Sequence, residues 1–192
     1  MGRARLLAAL AAGVCIGCGG TEAGQAPDAA ALSAGLNAQL AQVRRVTARY
    51  HDVAAALADG YVPASDCEQS PAGVMGIHYV NPSRLDLALD PLQPEVLLYV
   101  PWEGGLKLVA VEYVQPIVTA QGPYWGCGAN DNSCPPADPP PAPTLFPGFP
   151  FNGPMAGHNP MMPWHYDQHV WIWAPNPSGM FAQWNPSLSC DG

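Results

Sequence analysis

Apolar positions fall at steps of three and four along the first third of the chain, from Leu32 through Leu36, Leu40, Val43, Val46, Tyr50 and Val53 to Leu57. That spacing predicts one long amphipathic α-helix, opening at Pro27-Asp28 with Asp28 as its cap and stopped by Gly60. Gln39, Gln42, Arg44, Arg45, Arg49 and Asp52 mark its polar side. After Cys67 the pattern changes to short β-branched and aromatic runs, the mark of strands. Strands are predicted at 74–80, 96–102, 106–114 and from Trp164 or His165 to Trp173. Glu103-Gly104-Gly105 joins the second and third as a hairpin. With Gly104 and Gly105 as the loop, Leu97 faces Glu112. Val96, Leu98, Val100, Val109, Val111 and Tyr113 then form a core face, with Leu97, Tyr99, Leu108, Ala110 and Glu112 on the other. Residues 115–163, interrupted by Pro135-Pro136 and Pro139-Pro140-Pro141, read mostly as loop, and 180–184 as a single helical turn. The fold class is α+β: a long N-terminal helix packed on a small curled antiparallel sheet, with a long Pro-rich loop.

The extreme N-terminus is patterned differently. Arg3 and Arg5 precede an apolar run over 6–16, followed by Gly17 and Cys18. A basic head, a short apolar stretch and a small residue at the cut form a secretory signal, and the stretch is shorter than the ~20 residues that span a bilayer. Cys15-Ile16-Gly17-Cys18 resembles the lipobox of bacterial lipoproteins. The resemblance implies a signal peptide over 1–17, lipidation of Cys18, a flexible tether over 18–27 and a single domain over 28–192. It also implies a lipid-anchored place in the bacterial cell envelope, facing the periplasm or on the cell surface.

Charge narrows the partners. The chain carries a formal −8, and removing Arg3 and Arg5 with the leader shifts this from −8 to −10. Such a surface repels phosphate backbones, so nucleic acid is excluded as a partner, and attachment to a membrane rests on the lipid. With 48% hydrophobic and only 11% charged residues, the chain has the makings of a cored domain and not of a disordered one.

Beyond the leader four cysteines remain, Cys67, Cys127, Cys134 and Cys190. An even number in an exported chain favours two disulfides. Cys127 and Cys134 bracket a short Gly/Asn/Asp/Ser segment and are paired on that ground, which leaves Cys67 with Cys190. By loop entropy the long closure contributes at most on the order of 4–5 kcal/mol.

Candidate chemistry gathers at the histidines: His78 in one strand, His158 in the loop, and His165 and His169 in His165-Tyr166-Asp167-Gln168-His169. On a helix the last pair would resemble H-E-x-x-H, but Tyr166 stands where the acid belongs. On a strand His165, Asp167 and His169 share one side with Trp171 and Trp173. Residues two apart lie ~6.6 Å apart and can meet at one ion, whereas His165 and His169, ~13 Å apart, do not easily do so. A complete site therefore draws on His78, Glu112 or His158. Imidazoles with a carboxylate suit Zn, Fe or Cu, and Met155, Met161 and Met162 beside His158 would lean toward copper. The competing readings are a hydrogen-bonded structural cluster and metal-free acid–base chemistry. His51, beside Asp52 on the helix, reads as a surface or satisfied histidine. No nucleophile elbow or phosphate loop is present, and Trp125, Trp164 and Trp184 offer aromatic surfaces to a saccharide or an envelope partner.

The runs Met75-Gly76-Ile77-His78-Tyr79-Val80-Asn81-Pro82, His165-Tyr166-Asp167-Gln168-His169-Val170-Trp171 and Asn176-Pro177-Ser178-Gly179-Met180-Phe181 resemble those of an uncharacterised group of exported bacterial proteins, over roughly 48–190. The resemblance implies that these segments act as one domain and implies no activity. Two functional expectations result. One is an envelope protein with a divalent-metal site built from His78, His165, Asp167, His169, Glu112 and His158. The other is a non-catalytic binding or scaffold module that uses aromatic loops.

Overall fold

The computed structural model describes residues 29–127, 133–158 and 162–192, and for 29–32 the backbone alone. The leader, the tether, Asp28, Cys18 and Met161 lie outside the described residues. Two helices, α1 (Ala29–Thr47) and α2 (Val53–Ala58), precede eleven strands. The strands are β1 (Val62–Pro63), β2 (Glu68–Ser70), β3 (Gly73–Val80), β4 (Val96–Trp102), β5 (Gly105–Pro116), β6 (Val118–Thr119), β7 (Gly122–Pro123), β8 (Thr144–Phe146), β9 (Phe149–Pro150), β10 (Asn152–Met155) and β11 (His165–Val170). A seven-stranded antiparallel sheet runs β1-β3-β4-β5-β11-β10, with β2 also pairing β3, so the fold is α+β with helix packed on an antiparallel sheet.

The single helix expected to reach Leu57 is interrupted. Thr47 turns its hydroxyl back to the Val43 carbonyl at 2.8 Å, a 3-10 turn covers Ala48–His51, and Asp52 leaves the helical region. The Asp52 side chain accepts from the Ala54 amide and starts α2 afresh. A capping residue inside an apolar periodicity favours two helices over one, because its side chain competes for backbone partners. The break is useful: the Tyr50 carbonyl, freed from helical pairing, accepts from the buried Tyr99 hydroxyl at 2.6 Å. Leu57, expected on the apolar stripe, is exposed.

The β4–β5 hairpin also differs from the expected register. Trp102 pairs with Gly105, so Glu103-Gly104 is the loop, with φ of 50° and 78°. Two successive left-handed residues make a type I′ turn, whose twist matches the strands it joins. Near the turn Val100 faces Lys107, and a bulge between Leu98 and Tyr99 then shifts the pairing so that Val96 faces Glu112. Glu112 therefore leaves the side of Leu97 and Tyr99 and joins Val96, Leu98 and Ala110. Both sides of the hairpin are buried.

Two cores result. On the helix side Leu40, Val43, Tyr50 and Ala56 meet Leu97, Tyr99, Val111, Tyr113, Tyr166 and Val170. On the other side Val74, Val96, Leu98, Val100, Ala110, Val114 and Trp171 pack together under the C-terminal segment. The last strand ends at Val170, after which Trp173 turns to the helix side and donates to the Thr47 hydroxyl at 3.2 Å. Residues 180–184 form turns and bends and no helix. The segment 115–163 contains β6 to β10, more ordered pairing than its proline content predicts. Cys67 bridges Cys190 and Cys127 bridges Cys134, with Cα atoms 5.8 and 5.2 Å apart, as the spacing argument requires. No described helix is long and apolar enough to cross a membrane.

Candidate metal centre

Alternation along β11 puts His165, Asp167 and His169 on the face away from the helices. Their partners on β5 are Pro116, Val114 and Glu112 respectively. His78 comes from β3, opposite Leu98 of β4. The strand between them contributes Val96, Leu98 and Val100 on this face, so the polar groups stand on an aliphatic floor. His165, Asp167 and His169 are 0% exposed and Glu112 is 1% exposed.

The six expected ligands separate into two triads. His78, Glu112 and His169 form one, and His158, His165 and Asp167 the other; within each, one donor atom per residue lies within 4.8 Å of the rest. His165 and His169 fall in different triads, as their separation along the strand requires. His78 Nε2 is 3.4 Å from Glu112 Oε2. Two ligands bound at about 2.0–2.1 Å to a tetrahedral ion are about 3.3–3.5 Å apart, so this pair already has the spacing. Asp167 Oδ1 lies 4.0 Å from His169 Nδ1 and links the triads.

Surrounding groups fix two of the imidazoles for ligation. His165 Nδ1 is 3.0 Å from the Pro163 carbonyl, which can only accept, so Nδ1 carries the proton and Nε2 keeps its lone pair. His78 Nδ1 is 3.0 Å from Ser65 Oγ, whose own proton goes to the Asp66 carbonyl at 2.7 Å. Ser65 then accepts from Nδ1, and His78 Nε2 is left bare toward Glu112. An imidazole that donates from one nitrogen and offers the other is the arrangement found around protein-bound metals.

Burial sets the charge states. It pushes His78 down to about 3, helped by His158, and His165 to about 4, against the pull of the Pro163 carbonyl. Burial and then His78 hold His169 well below its ordinary value. Burial, followed by Asp167, raises Glu112 well above the carboxylate range. Burial lifts Asp167 to about 7, opposed by the Asn152 amide, which approaches across β10–β11 without closing a regular hydrogen bond.

What the cluster lacks is internal pairing. His78 Nε2, Glu112 Oε2, His165 Nε2, both oxygens of Asp167 and both nitrogens of His169 are buried without a hydrogen-bond partner. The closest approaches, 3.4 and 4.0 Å, are too long for hydrogen bonds. Each unserved buried polar atom costs about 1–3 kcal/mol. Seven together cost on the order of 10 kcal/mol, comparable to the whole stability of an ordinary domain. A self-contained structural network therefore does not explain them.

Glu68 was not foreseen. Its two oxygens lie 3.8 Å from His78 Nδ1 and His158 Nδ1. The one signal in the chain is its place next to Cys67, whose bridge pins β2 over the cluster. The loop carrying His158 closes tightly at Gly157, where a Cβ would stand 1.8 Å from the Met162 carbonyl oxygen. Among the described residues the methionines show no ligating contact: Met155 Sδ accepts from Gln183, and Met162 lines a neighbouring cavity. That cavity, about 390 Å³, is lined by Val62, Val80, Val96, Val114 and Trp125, and His165 is the one ionisable residue in its wall among the described residues. Trp164 is buried, and His51 packs its ring 4.4 Å from that of Trp173. Comparison with protein-family models, curated proteins and solved structures finds no match to this chain.

Proposed function

We propose that this chain is an exported protein whose domain binds a divalent transition metal through histidine and carboxylate ligands on the far face of its sheet. One observation carries the reading: seven buried donor atoms on His78, Glu112, His165, Asp167 and His169 converge without protein partners. A cation supplies what neutral imidazoles and desolvated carboxyls lack, because it binds lone pairs and draws the acids into their ionised form. Nitrogen and oxygen donors suit Zn, Fe or Cu(II), and a triad leaves a coordination position for water or a small ligand. Export and lipidation at Cys18 are supported by the leader pattern and agree with the two disulfides.

Elemental analysis of untagged protein expressed from the full-length sequence tests the metal reading. The expected result is stoichiometric Zn, Fe or Cu, lost from H169A and lost on chelation with a fall in Tm. Metal-free protein whose Tm ignores added Zn, Fe and Cu would overturn it. Incorporation of labelled fatty acid, abolished in C18A, tests the anchor separately.

A further inference from the structure

We propose that the centre holds two ions, an inner one on His78, Glu112 and His169 and an outer one on His158, His165 and Asp167. The inference rests on the metal-binding reading and extends it. Strand geometry argues first against a single shared ion: His165 and His169 stand four residues apart on one side of β11, ~13 Å along the strand. Each triad is nevertheless complete in itself, with one donor atom from each of three residues inside 4.8 Å. Each also has its own orienting contact, Ser65 on His78 in the inner triad and the Pro163 carbonyl on His165 in the outer.

The two triads are adjacent. Asp167 Oδ1 is 4.0 Å from the inner His169 Nδ1 while the same carboxyl belongs to the outer triad, which is the position of a bridging carboxylate. The ring of His158 stands 6.4 Å from that of His78 and 5.4 Å from that of His165. Glu68 reaches toward His78 with one oxygen and His158 with the other. Glu112, Asp167 and Glu68 bring three negative charges against the four positive of two divalent ions. The remainder is met by a hydroxide or an anionic ligand between the ions, as in two-metal sites. All three inner ligands are buried, whereas His158 is exposed, so the outer ion is the exchangeable one. It also lies beside the apolar cavity that His165 helps to wall.

Titration of the metal-free, untagged full-length protein with Co2+, followed by visible absorption and by elemental analysis after gel filtration, tests the assignment. Two equivalents are expected, the second bound more weakly. H158A and H158Q, at an exposed loop position, are expected to bind one, with the first-ion affinity within about threefold of the parent. Saturation of the parent at one equivalent would overturn the two-ion assignment and leave the metal-binding reading standing. No binding would overturn both, and two equivalents in the His158 variants would overturn the outer ligand set.

Discussion

The two faces of the sheet are buried alike and yet treat their polar atoms in opposite ways. On the helix side four buried tyrosines each find a carbonyl, although Trp164 Nε1 and Gln168 Oε1 are left without a partner. Tyr61 donates to Pro94, Tyr99 to Tyr50, Tyr113 to Pro91 and Tyr166 to Pro140, at 2.6 to 2.7 Å. On the far side the imidazoles and carboxyls of β3, β5 and β11 face one another at 3.4 to 4.0 Å, and seven of their ring nitrogens and carboxyl oxygens have no hydrogen-bond partner. Polar groups that are served hold a fold together, and a converging set of bare imidazoles and carboxyls in an equally dry place has the chemistry to take a ligand. The same strands supply both faces, so the difference lies in side-chain chemistry and not in packing quality.

The comparison breaks at its strongest point if the helix-side core responds to metal. Leu97→Ala removes a fully buried side chain. It is expected to cost about 2–5 kcal/mol in urea unfolding, equally with and without metal. Chelation of the parent comes next. With free metal held near 1,000 times its Kd, the bound state is expected to be about 4 kcal/mol more stable than the stripped one. Tyr99→Phe leaves the Tyr50 carbonyl unserved and is expected to cost about 1 kcal/mol in both states.

Asp167→Asn should behave in the opposite manner to the tyrosine. In stripped protein below about pH 6 it replaces a carboxyl that burial holds largely protonated, so the expected change there is within about 1 kcal/mol, while metal affinity falls at least tenfold. The pH dependence has a definite sign. The folded values of Asp167, about 7, and of Glu112 lie above their ordinary ones. In stripped protein their contribution is therefore present below about pH 4 and is lost as pH rises toward 7. Metal requires both acids ionised, so its apparent affinity climbs across the same window with release of protons. Calorimetry at pH 5, 6 and 7 in two buffers of different ionisation enthalpy measures that release, and a flat affinity would contradict it. The most local expected effect belongs to Gly157→Ala. It pushes the His158 loop away from the Met162 carbonyl and weakens the second Co2+ equivalent by roughly tenfold, about 1.4 kcal/mol.

Period-two alternation made the His165–Asp167–His169 face legible from the chain alone, because β11 is a regular strand with every residue on a fixed side. Strand rise likewise separated His165 from His169, and the short Cys127–Cys134 segment decided both bridges. Legibility failed where a local choice reset the register. Glu103 adopts a positive φ that a non-glycine residue seldom takes, and this, with the bulge at Leu98, carried Glu112 to the metal face. Asp52 capped a new helix inside an unbroken apolar period. Ser65 and Asn152 carry no pattern, and Glu68 only its place next to Cys67; the folded sheet and the Cys67–Cys190 bridge bring Glu68 and Ser65 beside histidines and Asn152 beside Asp167.

The most direct measurement is X-ray absorption at the K-edge of whatever transition metal co-purifies with the untagged protein through gel filtration. A first shell of nitrogen and oxygen near 2.0–2.1 Å, with the outer-shell scattering of imidazole and with loss of that signal in H169A, is the predicted result. A sulfur-dominated shell, or no retained metal in protein that is folded and disulfide-bonded, would contradict it.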